Sequence, residues 1–301
     1  MRVRILGSAA GGGFPQWNCN CATCTAARDP QVSATSRTQS SIAVRAENGP
    51  WFLINASPDL RQQLAQLPAA QLPGQPNGQL RHSRVAGVLL TDAEIDHTAG
   101  LLLMRESNVP LQIYSSQQVK NALTVDYPLL TMLDRYCGVR WSRLEPGETV
   151  ALGDTLEVDA FPTGGDVPLY VTGDDGPTAL GLTITDRETG GVLTYAPALE
   201  AIDDDIGERF GRSDCVFVDG TFWTANELVE LGLAERDAYA MGHMPLSGPD
   251  GSLAAFGELP ARTVLVHVNN TNPILIDDSP ERAIVDGSGI DVGYDGMEVE
   301  L

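Results

Sequence analysis

Three apolar strands of this 301-residue chain break off into metal-capable side chains, and that repetition limits the folds open to it. Val85-Ala86-Gly87-Val88-Leu89-Leu90 reads as a buried strand. It is followed by Asp92, Glu94, Asp96 and His97, after which Thr98-Ala99-Gly100-Leu101-Leu102-Leu103-Met104 reads as the opening of a helix. Val216-Phe217-Val218 runs into Asp219-Gly220, and Val264-Leu265-Val266 into His267-Val268. Ligands at strand ends beside helix starts lie where open α/β layers keep their sites. Asp96, His97, Asp219 and His267 are therefore expected to converge on one ion.

Further short apolar strands are expected at residues 2–6, 41–45, 51–55, 111–114, 155–161, 179–185, 192–195 and 290–293. Helical patterns fill residues 58–67, 99–106, 115–123, 198–210, 224–231, 252–259 and 279–286. Ser57 before Pro58 and Ser279 before Pro280 are suited to N-cap positions with proline in the first turn. Early strands follow one another closely, whereas helices separate the later ones. That mixture predicts two mixed sheets packed face to face with helices outside, a four-layer αββα sandwich. No charge run or Ser/Gly linker marks a boundary, so one domain over residues 1–301 is expected, with 72–78 as an exposed insertion.

Cys19-Asn20-Cys21-Ala22-Thr23-Cys24 follows the glycine-rich Gly11-Gly12-Gly13-Phe14-Pro15. Three thiolates this close can grip one Zn2+, and sulfur ligands in a closed shell would make it structural, tying down a loop at about residues 14–27 that has no regular structure of its own. The fourth ligand must come from elsewhere; Asn270, His243, Cys137 and Cys215 are the candidates. The spacing is not the C-x-x-C of thiol oxidoreductases.

The formal net charge is -21 and the single lysine is Lys120, which argues against a nucleic-acid partner, since phosphates demand clustered cations. The N-terminal Met1-Arg2-Val3-Arg4-Ile5-Leu6-Gly7 reads as a strand, not a signal peptide, and no apolar run approaches the ~20 residues that cross a bilayer. Five cysteines, three of them crowded together, suit metal binding in a reducing, cytoplasmic setting better than a disulfide framework.

Only four histidines are present: His82, His97, His243 and His267. His82 sits in a polar stretch and is expected to be exposed. His243, in the turn-like Met241-Gly242-His243-Met244-Pro245, suits a hydrogen-bonding role as well as a catalytic one. His267 precedes Asn269-Asn270-Thr271-Asn272, a polar cluster that a core does not explain. A solvated acidic loop accounts for Asp92 and Glu94 as well as a site does. It accounts less well for Asp96 beside His97, and Asp219 at the end of a buried strand needs a partner or a metal.

Thr91 to His97 resembles the T-H-x-H-x-D-H signature of the metallo-β-lactamase superfamily, with Asp92 and Glu94 in place of the leading histidines. Asp219 resembles its bridging aspartate, His267 its last histidine ligand, and Gly242-His243 the Gly-His of the tRNA-maturation and phosphonate-phosphodiesterase branches. The chain resembles the coenzyme PQQ synthesis protein B family from end to end. The resemblance is carried by Ile5 to Cys21, Arg37-Thr38-Gln39-Ser40-Ser41, Asn55-Ala56-Ser57-Pro58-Asp59, Ile95 to Thr98, Val218 to Thr221, Met241 to His243 and His267 to Leu275.

The mid-chain loop at residues 161–170, which supplies a third histidine in zinc hydrolases of the superfamily, holds none here. The first metal position thus loses its imidazoles, and Glu94 stays a candidate ligand. The second keeps Asp96, His97, Asp219 and His267, a set that suits Fe2+, with Mn2+ or Zn2+ as alternatives. His243 and Asp92 would act beside it as orienting or proton-handling groups. The resemblance implies a role in PQQ biosynthesis: metal-dependent hydroxylation, with O2, of the tyrosine moiety of a Glu–Tyr-derived precursor. Binding or transport of PQQ or its precursor, and a degenerate hydrolase, are the alternatives. The implied partners are that precursor and other proteins of the pathway, with no nucleic acid and no membrane; a homodimer stays open.

Overall fold

The computed structural model describes residues 1–67, 83–165, 167–172 and 179–301. His82, the expected insertion at 72–78 and Asp166 of the mid-chain loop lie outside the described residues. The chain builds β1 (Arg2–Gly7), β2 (Ser41–Arg45), β3 (Trp51–Ile54), β4 (Val85–Leu89), β5 (Leu111–Ser115) and β6 (Val139–Arg143) into one sheet. It then builds β7 (Thr149–Leu152), β8 (Leu156–Gly164), β9 (Ala179–Asp186), β10 (Val192–Ala196), β11 (Cys215–Asp219), β12 (Arg262–Val266) and β13 (Asp291–Val292) into a second. The last strand, β14 (Glu298–Glu300), returns to the edge of the first sheet beside β1.

Each sheet is parallel in one half and antiparallel in the other. The run β3-β4-β5-β6 is parallel, as is β10-β11-β12-β13, while β14-β1-β2-β3 and β7-β8-β9-β10 are antiparallel. The inner faces meet through Ile5, Ile42, Val44, Ile54 and Leu89 on one side and Val158, Leu182, Ile184, Phe217 and Val266 on the other. The alternate residues point outward. Leu53, Val88 and Ile113 pack under α2 (Leu60–Gln66), α4 (Gln117–Ala122) and α5 (Leu129–Tyr136). Val216, Val218 and Leu265 pack under α6 (Asp204–Gly211), α8 (Ser252–Gly257) and α9 (Pro280–Gly287). Burial on both faces is why the central strands read as unbroken apolar runs, and the four-layer αββα sandwich follows. No helix among the described residues is long and apolar enough to cross a membrane.

Several expected elements shift. β6, β7 and β14 fall outside the expected strands: all three are short edge strands, and β6 and β14 carry charged residues in place of an apolar run. α5, whose buried Leu129, Leu130 and Leu133 form one face, was missed as well. The helix expected at 198–210 is confined to α6, where Asp203 caps it by accepting from Ile206 N at 2.8 Å. Ser279 caps α9 as expected. Ser57 does not cap α2: its hydroxyl accepts from Asp59 N at 3.2 Å, and the helix starts only at Leu60. The cysteine segment is not irregular throughout, since a short helix, α1 (Ala22–Ala27), carries Cys24.

The most consequential shift lies after β4. One α-helical turn, α3 (Ile95–Thr98), precedes a 3-10 segment at Ala99–Glu106, so Asp96 and His97 belong to a helix start rather than a strand end. Asp92 Oδ1 accepts from Glu94 N at 2.9 Å and turns the chain into that helix. The segment then packs on backbone. A Cβ at Gly100 would meet Ser57 O at 2.0 Å, and Gly100 N donates to Ala56 O at 2.9 Å.

Candidate metal centres

His97 is held from two directions. Its backbone oxygen accepts from Ala56 N at 2.7 Å, and its Nδ1 lies 2.7 and 2.8 Å from the two oxygens of Asp92. Asp92 is fixed in turn by Thr91 Oγ1 at 2.7 Å, and Thr91 by the buried Asn55, whose Oδ1 accepts from Thr91 N at 3.0 Å. A carboxylate on Nδ1 settles the tautomer and leaves Nε2 for a ligand role. Burial disfavours charge on His97, but Asp92 and then Asp96 overcome it and hold the imidazolium pKa up at about 9. A metal ion taking Nε2 therefore displaces a proton.

That Nε2 is buried and has no hydrogen-bond partner. Such an orphan costs about 1–3 kcal/mol, a cost that an ion removes. Asp96 Oδ2 stands 3.9 Å from His97 Nε2 and 3.7 Å from His267 Nε2. One donor atom from each of Asp96, His97 and His267 lies within 4.8 Å of the others. Burial opposes the charge of Asp96, yet His97 and His267 keep its carboxyl well below the usual range. Burial, together with His97 and His243, lowers the pKa of His267 against the pull of Asp96 and favours the neutral ring that ligates. His267 Nδ1 is engaged by Thr221 Oγ1 at 2.9 Å. The backbone of His267 is left-handed, with φ 55°, a strain of about 1–3 kcal/mol that residues at functional sites carry. The donors fit a divalent metal: two imidazoles and a carboxylate, each ring oriented through its other nitrogen.

The other expected ligand, Asp219, falls into an adjoining group. Donor atoms of Asp219, His243 and His267 lie within 4.8 Å of one another. His243 Nδ1 is 2.7 Å from Asp219 Oδ2, which also accepts from Leu199 N at 3.0 Å, and the His243 ring stacks on His267 at 5.5 Å. His243 thus stands at this centre and not with the cysteines. Glu94 belongs to neither ligand group; its carbonyl accepts from Thr98 Oγ1 at 2.8 Å inside the helix start.

Cys19, Cys21 and Cys24 place their sulfurs within 4.8 Å of one another. Asn270 faces all three: its Nδ2 lies 3.2 Å from Cys19 Sγ, 3.6 Å from Cys21 Sγ and 3.2 Å from Cys24 Sγ. Half a turn of that amide puts Oδ1 in the same place, facing the three sulfurs. Cys215 lies in the inter-sheet core and Cys137 against the outer face of the first sheet, so neither reaches the cluster. Burial pushes the Cys24 thiol up to about 11; Cys21, for which burial is outweighed by the Thr23 hydroxyl and neighbouring donors, falls below the ordinary value.

The supporting residues Asn55, Thr91, Thr221 and Gly100 were not singled out as site residues. Asn55, Thr91 and Thr221 occur within or beside stretches such as Asn55-Ala56-Ser57 and Val218-Asp219-Gly220-Thr221, and their polar side chains in apolar surroundings are the available signal; Gly100 offers none.

The beta-lactamase superfamily domain is matched by residues 50–268. A protein of Cupriavidus necator named coenzyme PQQ synthesis protein B is 45% identical over 307 residues, covering 99% of each chain. Its namesake in Methylococcus capsulatus is 42% identical over 308 residues, covering 100% of both. The crystal structure of Zn2+-bound PqqB from Methylobacterium extorquens superposes with a TM-score of 0.88 at 36% identity, over 100% of both chains. A diphosphatase of the PhnP family shares the fold, with a TM-score of 0.69 at 20% identity, over 100% of this chain and 98% of that one. With these full-length matches and the same two-sheet sandwich, the chain belongs to the coenzyme PQQ synthesis protein B family of the beta-lactamase superfamily.

Proposed function

We propose that this chain acts in PQQ biosynthesis as a metal-dependent hydroxylase of the tyrosine moiety of a Glu–Tyr-derived precursor. The observation that carries this reading is the commitment of Asp92. In a two-metal hydrolase its position would serve a first ion, but here its oxygens are taken up by Thr91, Glu94 N and His97 Nδ1. What is left is a compact group, Asp96, His97 and His267, the two-histidine, one-carboxylate set that suits Fe2+ with open positions. Asp96, His97 and His267 would hold Fe2+, which would supply the activation of O2, with Mn2+ or Zn2+ as alternative occupants. The Zn2+-bound state of the Methylobacterium extorquens relative supports metal binding by a chain of this kind. The cysteines with Asn270 are the seat for a structural Zn2+.

The residues divide the remaining work. Asp92 and Thr221 orient the two rings through Nδ1. His243, with Nδ1 on Asp219 Oδ2, has Nε2 as its basic atom for the proton that leaves the ring carbon as the C–O bond forms. The second oxygen atom leaves as water, which requires a two-electron reductant. Other proteins of the pathway are the natural source of the precursor.

The test is anaerobic loading with Fe2+, then O2, a reductant and a Glu–Tyr dipeptide, with mass detection of added oxygen. His97→Ala and His267→Ala should each abolish the mass gain while keeping the circular dichroism of the parent. Unchanged turnover in either variant sinks the assignment. Tight precursor binding with no product under any metal and reductant would favour a carrier instead.

A further inference from the structure

The cysteine group and the Asp96–His97–His267 group share two stretches of backbone. The first is short: His267 supplies a donor to one group and Asn270, three residues on, faces the sulfurs of the other. The second begins at the end of β1 and leads to Cys19. It pairs with the first stretch in a parallel bridge, since Val268 N donates to Ser8 O at 2.9 Å and Ala10 N to Val268 O at 3.0 Å. The same stretch then passes Asp96 so closely that a Cβ on Gly11 would lie 3.3 Å from Asp96 Oδ2. Gly12 N, donating to Gln39 Oε1 at 3.0 Å, holds it there. A left-handed His267 persists only while its surroundings enforce that conformation. The three steps of chain from His267 to Asn270 span about 10 Å at most, so movement at one end has little slack to be absorbed.

We propose that an ion bound by Cys19, Cys21, Cys24 and Asn270 positions the Asp96–His97–His267 centre. By fastening Asn270 to the cysteine segment it closes the two backbone stretches on each other. His267 is then kept in its left-handed conformation and the Gly11 turn against Asp96. Asn270 and the cysteines are positioning residues in this scheme, acting through the backbone that bears the ligands. The proposal rests on the reading that both groups hold metal. Coupling of this kind is reciprocal, so each ion raises the affinity for the other by one factor.

The experiment measures Mn2+ affinity by competition with a chelator, and the Mn2+ electron paramagnetic resonance spectrum, with and without one equivalent of Zn2+, which the thiolates select. Zinc is expected to tighten Mn2+ binding by roughly 5–150-fold and to narrow the spectrum toward one geometry. Asn270→Ala should lose most of that gain. Asn270→Asp, which keeps an oxygen facing the sulfurs, should restore it. In the reverse direction Mn2+ should raise the zinc affinity by the same factor, and His97→Ala should remove that increase. Equal Mn2+ affinity with and without zinc overturns the coupling while leaving both metal sites standing. Mn2+ binding that His97→Ala does not weaken overturns the metal reading itself, and the proposal with it. Should Asn270→Ala fail to fold, the comparison of zinc-loaded and zinc-stripped parent protein decides the question alone.

Discussion

The cysteine group and the histidine–carboxylate group solve the problem of holding a cation in opposite ways. Three of the four groups that meet at the cysteine cluster fall within six residues of chain, and those three are sulfurs. The other centre draws Asp96 and His97 from a helix start and His267 from the end of β12, and its donors are nitrogen and oxygen. On the proposed reading the first would close around a structural ion, and the second would leave positions open for chemistry. Their surroundings differ accordingly. Asn270 meets the sulfurs with a single amide, whereas Asp92, Thr91, Asn55 and Thr221 build a buried hydrogen-bonded frame around the two imidazoles. An open site has to be held rigid by what lies behind it, because its own shell is incomplete.

The contrast breaks most visibly if stability is asked of both groups. Cys24→Ser should lose bound zinc and, at zinc a thousandfold above its dissociation constant, about 4 kcal/mol of stability, read as a fall in the thermal midpoint. A variant that keeps the parent midpoint in zinc would make the cysteine group dispensable. Next in size is Asp92→Ala, which removes the partner of His97 Nδ1. It should weaken metal at the histidine centre by about 10–100-fold with the zinc content unchanged, as elemental analysis and chelator competition would report. Full affinity would mean that His97 is oriented by packing alone. The smallest effect is expected from His267→Gly: metal is lost, but release of the left-handed strain offsets lost contacts and keeps metal-free stability within about 1 kcal/mol of the parent. A loss beyond ~2 kcal/mol in denaturant melts would show the side chain to be a packing element.

Legibility followed the same division. The sandwich could be read because strands buried on both faces must be apolar throughout, as in Cys215 to Val218, all fully buried. The edge strands β6 and β14 escaped because half-wet strands carry arginine and glutamate. At the site, Asp96, His97 and His267 stood out as polar residues after apolar runs. Asp219 stood out in the same way, but its pairing with His243 did not, since a turn-like histidine offers no periodicity to read.

By itself the sequence determined the layered fold, the cysteine cluster and the adjacency of Asp96 to His97, because each depends on local spacing or on how many faces a strand buries. Only the tertiary structure decided which of four candidates meets the cysteines, that His243 joins Asp219, and that Asp92 turns to His97 Nδ1. The first of these spans 251 residues of chain and the second 24. The third spans only five, but it depends on the turn by which Asp92 starts the helix. Contacts set by the meeting of two sheets and by the angle of one turn leave no periodic trace in the chain, and at this centre they decide which side chains face one another.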